Sequence, residues 1–144
     1  MKITVILSTV SVAVVMTALA GDKSDDAKNI QGTWVPIRAE LRGEPMNNDA
    51  LKSFTLTLDG DKYVVEAESV DKGTYTINPA AKPKTIDITG VEGPNAGKKI
   101  PAIYDLHGDT LRVCYGLGGG PRPTEFKSPS GTQIFLVAYK RKRM

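Results

Sequence analysis

The sequence predicts a single all-β domain of about eight short antiparallel strands, arranged as an up-and-down barrel or as a sandwich. Apolar residues alternate with polar ones in short blocks, as in Phe54-Thr55-Leu56-Thr57-Leu58, which is the period of a half-buried strand. Turn residues separate these blocks at fairly even spacing. The 144 residues suffice for one ordinary domain and are too few for two.

Composition favours a packed core and excludes some classes of partner. Hydrophobic residues make up 40% of the chain and charged residues 24%, which is typical of a globular domain. The net charge is +3, and much of the excess lies in Lys140-Arg141-Lys142-Arg143, so that 142–144 form a basic tail. No basic face runs through the domain, and we expect no nucleic-acid partner.

The first twenty residues have the pattern of a secretory signal. Lys2 precedes a charge-free apolar stretch, and the small residues Ala18 and Ala20 then provide an Ala-x-Ala-like cleavage site. An uncleaved anchor is the alternative, although the stretch is shorter than the roughly 20 residues that span a bilayer. We therefore expect export to the periplasm or beyond the cell after cleavage near Ala20, with no transmembrane span in the mature form. We expect 21–28 to be a flexible lead-in.

The first half of the domain carries clear local signals. We expect the first strand at 33–40, where Pro36 requires an edge, a bulge or a point at which a barrel is not closed, because proline cannot donate to a ladder. Asn47 or Asn48 can cap a single helical turn anchored by Leu51. Asp59-Gly60-Asp61 between alternating strands predicts a tight hairpin.

The second half continues with strands and one long loop. The pattern predicts strands at 62–67, 73–77, 84–89, 99–106 and 110–115, and a last strand at 133–140 that is apolar on both faces. The long loop, 116–131, has glycine at both ends (Gly116 and Gly131) and precedes the last strand. Loops at the mouth of a rigid barrel are where binding residues concentrate.

Several motifs resemble one family. They are Gln31-Gly32-Thr33-Trp34, Pro83-Lys84-Thr85-Ile86-Asp87, Leu111-Arg112-Val113-Cys114-Tyr115 and Arg122-Pro123-Thr124-Glu125-Phe126. Together, over about 29–141, they resemble the exported, uncharacterised domains best known from planctomycete bacteria and described as lipocalin-like. The resemblance implies a lipocalin-like antiparallel up-and-down barrel of about eight strands with one short helical turn, and it brings no established activity. It also implies that Trp34 closes the base, with Lys140 or Arg141 packed on its indole.

The barrel interior and one loop are the candidate ligand sites. An eight-stranded barrel is either filled by side chains or holds one small ligand. We place Trp34 at the base, Arg38, Tyr104 and Tyr115 on the wall, and Arg122 and Glu125 at the mouth, and we add Arg112 to the set. Arg38 is included because a period of two gives it the same face as Trp34. The alternative, which we slightly favour, is that Arg38 lies near the rim and extends its charged end to water.

These candidates lead to two hypotheses. The first is an extracytoplasmic protein that binds a small apolar or amphipathic ligand. The second is a protein-interaction or inhibitor module of the cell envelope that uses the loop 116–131. An internal cavity of about 300 Å³ or more favours the first hypothesis.

No catalytic or metal-binding pattern is present in the sequence. The single histidine, His107, lies in a predicted turn, and a zinc site needs further ligands at suitable spacing. The single cysteine, Cys114, lies inside a predicted strand, where a partly buried small hydrophobe is favoured over a reactive thiol or an intermolecular bridge. We therefore expect no enzyme activity, no cofactor and no metal.

Overall fold

The computed structural model describes residues 21–143, so the predicted signal segment 1–20 lies outside the described residues. This part of the chain forms nine strands and two short helices. In chain order they are α1 (Gly21–Asn29), β1 (Gly32–Leu41), β2 (Glu44–Pro45), α2 (Asn48–Leu51), β3 (Thr55–Asp59), β4 (Lys62–Glu66), β5 (Val70–Asn78), β6 (Thr85–Glu92), β7 (Lys99–His107), β8 (Thr110–Gly116) and β9 (Ile134–Arg141). Neither helix has the length and apolarity needed to cross a bilayer.

The strands form a closed antiparallel barrel. The two-residue β2 folds back and pairs antiparallel with the end of β1. Each of the other strands pairs with the next of them along the chain, and β9 returns to pair with β1. The predicted all-β, up-and-down barrel of eight strands is confirmed, and the sandwich alternative is wrong. Closure pairs both edges of the sheet and leaves no long open edge.

The strand directions give the barrel two different ends. We call the end with the turns after β3, β5 and β7 the base, where the chain also arrives from α1. The opposite end, which we call the mouth, carries α2, the β4–β5 turn, the loop 93–98 and the loop 117–133. The two ends are therefore built from different parts of the sequence.

The short helix at the mouth follows its local signals. Asn47 is the N-cap of α2, and its side chain accepts a hydrogen bond from the Ala50 backbone N–H at 2.8 Å. Leu51 is buried against the barrel. The predicted helical turn and its anchor are both confirmed.

Pro36 lies at a β-bulge, as one of the sequence interpretations requires. Pro36 pairs with Tyr139 and Arg38 with Ala138, so Ile37 is the extra residue on β1 and is exposed. A bulge of one residue reverses the alternation of faces beyond it. Ala39 is therefore buried, whereas Arg38 is exposed. The prediction that Arg38 shares the inward face of Trp34 is wrong for this reason.

The segment 21–28, expected to be a flexible lead-in, belongs instead to the helix α1. Asp26 is buried where this helix meets the base, and it accepts hydrogen bonds from Lys84 and Tyr104.

Two residues of the expected basic tail, Lys142 and Arg143, also contact the barrel. The Lys142 backbone N–H donates to the Thr33 carbonyl, and the Arg143 guanidinium pairs with Asp109.

Candidate functional site

The base of the barrel is closed around Trp34. This side chain is fully buried, and its indole Nε1 donates to the Ile30 carbonyl at 2.9 Å. The Arg141 guanidinium lies 4.4 Å from the centre of the Trp34 ring and donates to the Gln31 and Asn29 carbonyls. The expected cation–π contact is therefore made by Arg141, the second of the two basic residues considered.

Gly32 is required at this closure. Its φ of +130° is unfavourable for other residues, and a Cβ atom there would lie 2.9 Å from the Arg141 Nη1 atom. The Gly-x-Trp spacing thus makes room for the arginine that covers Trp34.

Tyr104 belongs to the base of the barrel and does not line its internal cavity. Its hydroxyl donates to the Asp26 Oδ2 atom at 2.7 Å, and the Lys84 Nζ atom reaches the same oxygen at 2.9 Å. Burial, followed by the Asp26 carboxylate, raises the pKa of Tyr104 well above its usual value. Because the hydroxyl already donates to Asp26 of α1, the geometry does not support a ligand contact from Tyr104.

An apolar cavity of about 370 Å³ occupies the barrel between the base and the mouth. Strand alternation directs large side chains into it from most of the wall. Its aliphatic wall includes Leu56, Leu58, Val65, Ile86, Ile88 and Val113. Its aromatic lining consists of Phe54, Tyr63, Tyr75, Tyr115, Phe135 and Tyr139. Among the described residues that line it, only Ser53, Asp71 and Asn95 are neither aliphatic nor aromatic.

Two tyrosines form a polar pair on one side of the cavity. The hydroxyls of Tyr115 and Tyr139 are 2.8 Å apart, and the Tyr115 ring stacks on Phe135 with a centroid distance of 5.8 Å. Burial raises the pKa of both hydroxyls and so favours their neutral form. Tyr115 is the predicted wall residue that the structure does place in the cavity.

A carboxylate lies on the opposite wall. Asp71 is 7% exposed and shares the inward face of β5 with Tyr75. The Asn95 Nδ2 atom donates to the Asp71 Oδ2 atom at 2.7 Å. The Tyr63 hydroxyl lies 3.4 Å from both carboxylate oxygens, which is long for an O–H···O hydrogen bond. Burial, and then the nearby Asp71 charge, raise the pKa of Tyr63 to about 12.

The loop that carries Asn95 is tightly held against β5. Its backbone is fixed by hydrogen bonds from Gly90 N–H to the Lys98 carbonyl and from Ala96 N–H to the Gly93 carbonyl. Gly93 has a φ of +90°, and a Cβ atom there would lie 2.9 Å from the Asp71 Cα atom. Only glycine permits this approach, which fixes Asn95 beside Asp71.

The sequence interpretation missed Asp71, Tyr63 and Asn95. The predicted strand began at residue 73, whereas β5 begins at Val70. Extending the alternation of Tyr75 and Gly73 backwards by two residues would have placed Asp71 on the inward face. No local signal indicates that Asn95, 24 residues later, folds back onto it.

The loop 117–133 runs over the outer wall of the barrel. Arg122 donates to the Ala102 carbonyl of β7 at 2.8 Å and to the Ile86 carbonyl of β6 at 3.3 Å, and it pairs with Asp87. The Arg112 guanidinium lies 4.2 Å from the centre of the Phe126 ring and pairs with Asp105. Arg112 and Arg122 are therefore structural contacts of this loop.

Glu125, the second residue predicted at the mouth, does not pair with Arg122. It is exposed, and its carboxylate lies 3.9 Å from the Lys127 Nζ atom.

Beneath the same loop, Cys114 is fully buried on the outer face of β8, and its thiol donates to the Lys127 carbonyl at 3.6 Å. Burial raises the pKa of this thiol. Cys114 thus lies in a strand, as predicted, and it is fully rather than partly buried.

The structure thus separates the predicted ligand residues into four places. Tyr115 lines the cavity, Trp34 and Tyr104 close the base, and Arg38 is on the outside beyond the bulge. The remaining three, Arg112, Arg122 and Glu125, belong to the outer loop or its contacts.

Comparisons with known proteins add no family assignment. No family model, curated protein or solved structure matches the chain. In the described part of the chain, no cluster of three or more His, Cys, Asp or Glu side chains is arranged to hold a metal ion.

Proposed function

We propose that this protein binds a small, partly apolar molecule inside its barrel, and that it does so outside the cytoplasm. The observation that carries the proposal is the cavity of about 370 Å³, whose lining is predominantly aliphatic and aromatic. Small-molecule pockets are of this kind, with volumes from about 300 Å³ and a few placed polar groups.

The position of the mouth supports the same proposal. Phe54, Leu117 and Phe135 lie near this end and are half-buried, so apolar surface continues from the interior towards solvent. At the base, Trp34 and Arg141 close the opposite end. A ligand would therefore enter from the mouth with its apolar part directed towards the base.

The alternative, a protein-interaction or inhibitor module based on the loop 116–131, has weaker support. The side chains of Arg122, Phe126 and Ser128 in this region are used to hold the loop on the barrel. The exposed part of the loop has few large side chains that could anchor a partner. The cavity exceeds the volume at which the ligand-binding hypothesis is preferred.

The test is binding of N-phenyl-1-naphthylamine, an uncharged probe whose fluorescence rises in apolar surroundings. Val65 lines the cavity, whereas the neighbouring Val64 is on the outer face of β4. We expect Val65→Phe to weaken probe binding about tenfold or more by filling the cavity, and Val64→Phe to leave it within about twofold. Equal affinities of the two variants, or no binding to the unmodified protein, would contradict the proposal.

A second measurement addresses the natural ligand. Native mass spectrometry of protein purified from its own source should detect a bound mass that is lost on denaturation. The fluorescence experiment tests the cavity, and the mass measurement identifies its occupant.

A further inference from the structure

Among the described residues that line the cavity, Asp71 is the one carboxylate, and its position is informative about the ligand. Asp71 lines the cavity and is 7% exposed. Asp71 on β5 pairs with Val65 on β4, and Gly73, two residues further along β5, pairs with Tyr63. Aliphatic and aromatic groups therefore surround the carboxylate. An ionised carboxylate in such surroundings is costly unless other groups compensate its charge.

Among the described residues, the groups that compensate this charge are neutral hydrogen-bond donors. Asn95 supplies one short hydrogen bond, and Tyr63 supplies a long one shared between the two oxygens. None of the salt bridges formed by the described residues involves Asp71. In contrast, the buried Asp26 at the base has the Lys84 ammonium as its partner. Asp71 is thus a buried acid whose cationic partner is not supplied by its neighbours.

The arrangement is rigid, which favours a binding role. The loop 93–98 holds Asn95 against one carboxylate oxygen, and Asp71 is paired with Val65 of β4, next to the residue at which the pairing of β5 with β6 begins. A fixed carboxylate inside an apolar cavity is complementary to a positive group on an apolar molecule, because a charge-assisted hydrogen bond is strongest where water is excluded.

We propose that the ligand is an amphipathic organic cation, with a protonated amine on Asp71 and an apolar body in the rest of the cavity. This inference rests on the ligand-binding function proposed above. The Tyr63 ring next to Asp71 gives the ammonium a second favourable surface. The aliphatic wall formed by Leu56, Leu58 and Val113 accommodates the apolar body.

Two lysines at the mouth define the competing possibility. Lys98 and Lys99 are exposed and border a second depression of about 480 Å³, which adjoins the cavity at Asn95, Ile100 and Leu117. They would favour an amphipathic anion whose charged group stays near the surface. Solvent screens exposed lysines more than it screens the buried Asp71, so we place the charge recognition at Asp71.

The test compares three compounds with the same chain: octylamine, octanol and octanoate. Each compound is titrated as a competitor of N-phenyl-1-naphthylamine on the unmodified protein at pH 7, where octylamine is protonated. We expect octylamine to bind about tenfold or more tightly than octanol, because it adds a hydrogen bond between charged groups. We expect octanoate to bind most weakly, because its charge is repelled by Asp71.

Three variants locate the effect. Asp71→Asn should reduce the preference for octylamine over octanol to about twofold or less while octanol still binds. Glu66→Gln removes the same charge from the exposed outer face of β4 and should keep the full preference. Val65→Lys retains Asp71 and adds an ammonium cross-strand from it, and this variant should also abolish the preference.

The results separate this inference from the function on which it rests. Equal binding of octylamine and octanol to the unmodified protein, stronger binding of octanoate, or a preference that survives in Asp71→Asn would overturn the inference. A lower thermal stability of Asp71→Asn with an unchanged preference would show that Asp71 only anchors the loop 93–98. If neither the probe nor any of the three compounds binds, the proposed function itself is wrong.

Discussion

The Arg141 guanidinium lies 4.4 Å from the Trp34 ring centroid and also donates to the Gln31 and Asn29 carbonyls, so one side chain joins the last strand to the residues before the first. It further donates to the Asp109 carboxylate at 3.0 Å. Arg143 and Arg141 together hold the pKa of Asp109 below its usual value. The base of the barrel is therefore closed by contacts between the N-terminal and the C-terminal segments of the domain.

We predict that Arg141→Ala lowers the free energy of unfolding by about 2–4 kcal/mol, through loss of the cation–π contact and of hydrogen bonds from a charged group. Arg143→Ala is the matched control, because it removes the same charge from a side chain that is 77% exposed and also pairs with Asp109. Its cost should not exceed about 1 kcal/mol. Chemical denaturation followed by Trp34 fluorescence measures both, and equal costs would contradict the closing role of Arg141.

We predict that Asp26→Ala destabilises the protein by about 1–3 kcal/mol, because the buried Tyr104 hydroxyl loses its acceptor. Asp25→Ala changes the exposed neighbour in the same helix and should cost less than about 0.5 kcal/mol. Thermal and denaturant unfolding of both variants compares them. A flexible segment 21–28 would give the same small effect for the two substitutions.

We predict that the tyrosines resist ionisation until the barrel opens. Burial is the largest cause of a raised pKa at all five, namely Tyr63, Tyr75, Tyr104, Tyr115 and Tyr139. The folded state favours the neutral form, so this contribution to stability is complete below pH 10.0, the ordinary tyrosine value. For Tyr63 it is lost as the pH rises towards its folded pKa of about 12.

Tyrosinate absorbance and circular dichroism, recorded together during an alkaline titration, check this prediction. Ionisation should begin above the pH at which the tyrosines of the denatured chain titrate, and it should coincide with loss of the β-sheet signal. Reversible ionisation of several tyrosines near pH 10, at about their unperturbed value, with the sheet intact would contradict the described packing.

We predict that Cys114 reacts with thiol reagents only when the loop 117–133 opens, because the loop covers its thiol and burial raises its pKa. Phe126→Ala removes the cation–π contact with Arg112 and should accelerate labelling about two- to fivefold. Glu125→Ala alters the exposed neighbour of Phe126 and should leave the rate unchanged. Fast labelling of the unmodified protein would contradict the covering role of the loop.

We predict that Arg38→Ala changes the affinity for N-phenyl-1-naphthylamine by less than about twofold, because Arg38 is exposed beyond the bulge at Ile37. The same titration applied to Val65→Phe provides the positive control. A large loss of affinity in Arg38→Ala would mean that the bulge does not reverse the strand faces in solution.

The sequence by itself determined the features that depend on neighbouring residues. The alternation of apolar and polar residues places most of the strands, and the glycine turns at Gly60 and Gly108 connect the hairpins at the base. The cap at Asn47 and the burial of Leu51 follow from side-chain chemistry within one helical turn. These features are stabilised by interactions between residues that are close in the sequence, so the sequence pattern predicts them.

Only the tertiary structure decided where the functional candidates lie. The extra residue at Ile37 appears as a bulge only when β1 pairs with β9, and it moves Arg38 to the outside. Asp26 meets Tyr104 across 78 residues, and Asn95 meets Asp71 across 24. These contacts form because barrel closure and loop packing bring distant polar groups together where water is excluded. A buried polar group is hydrogen-bonded to whichever partner the fold places next to it. The periodicity of the sequence does not indicate which residue that partner is.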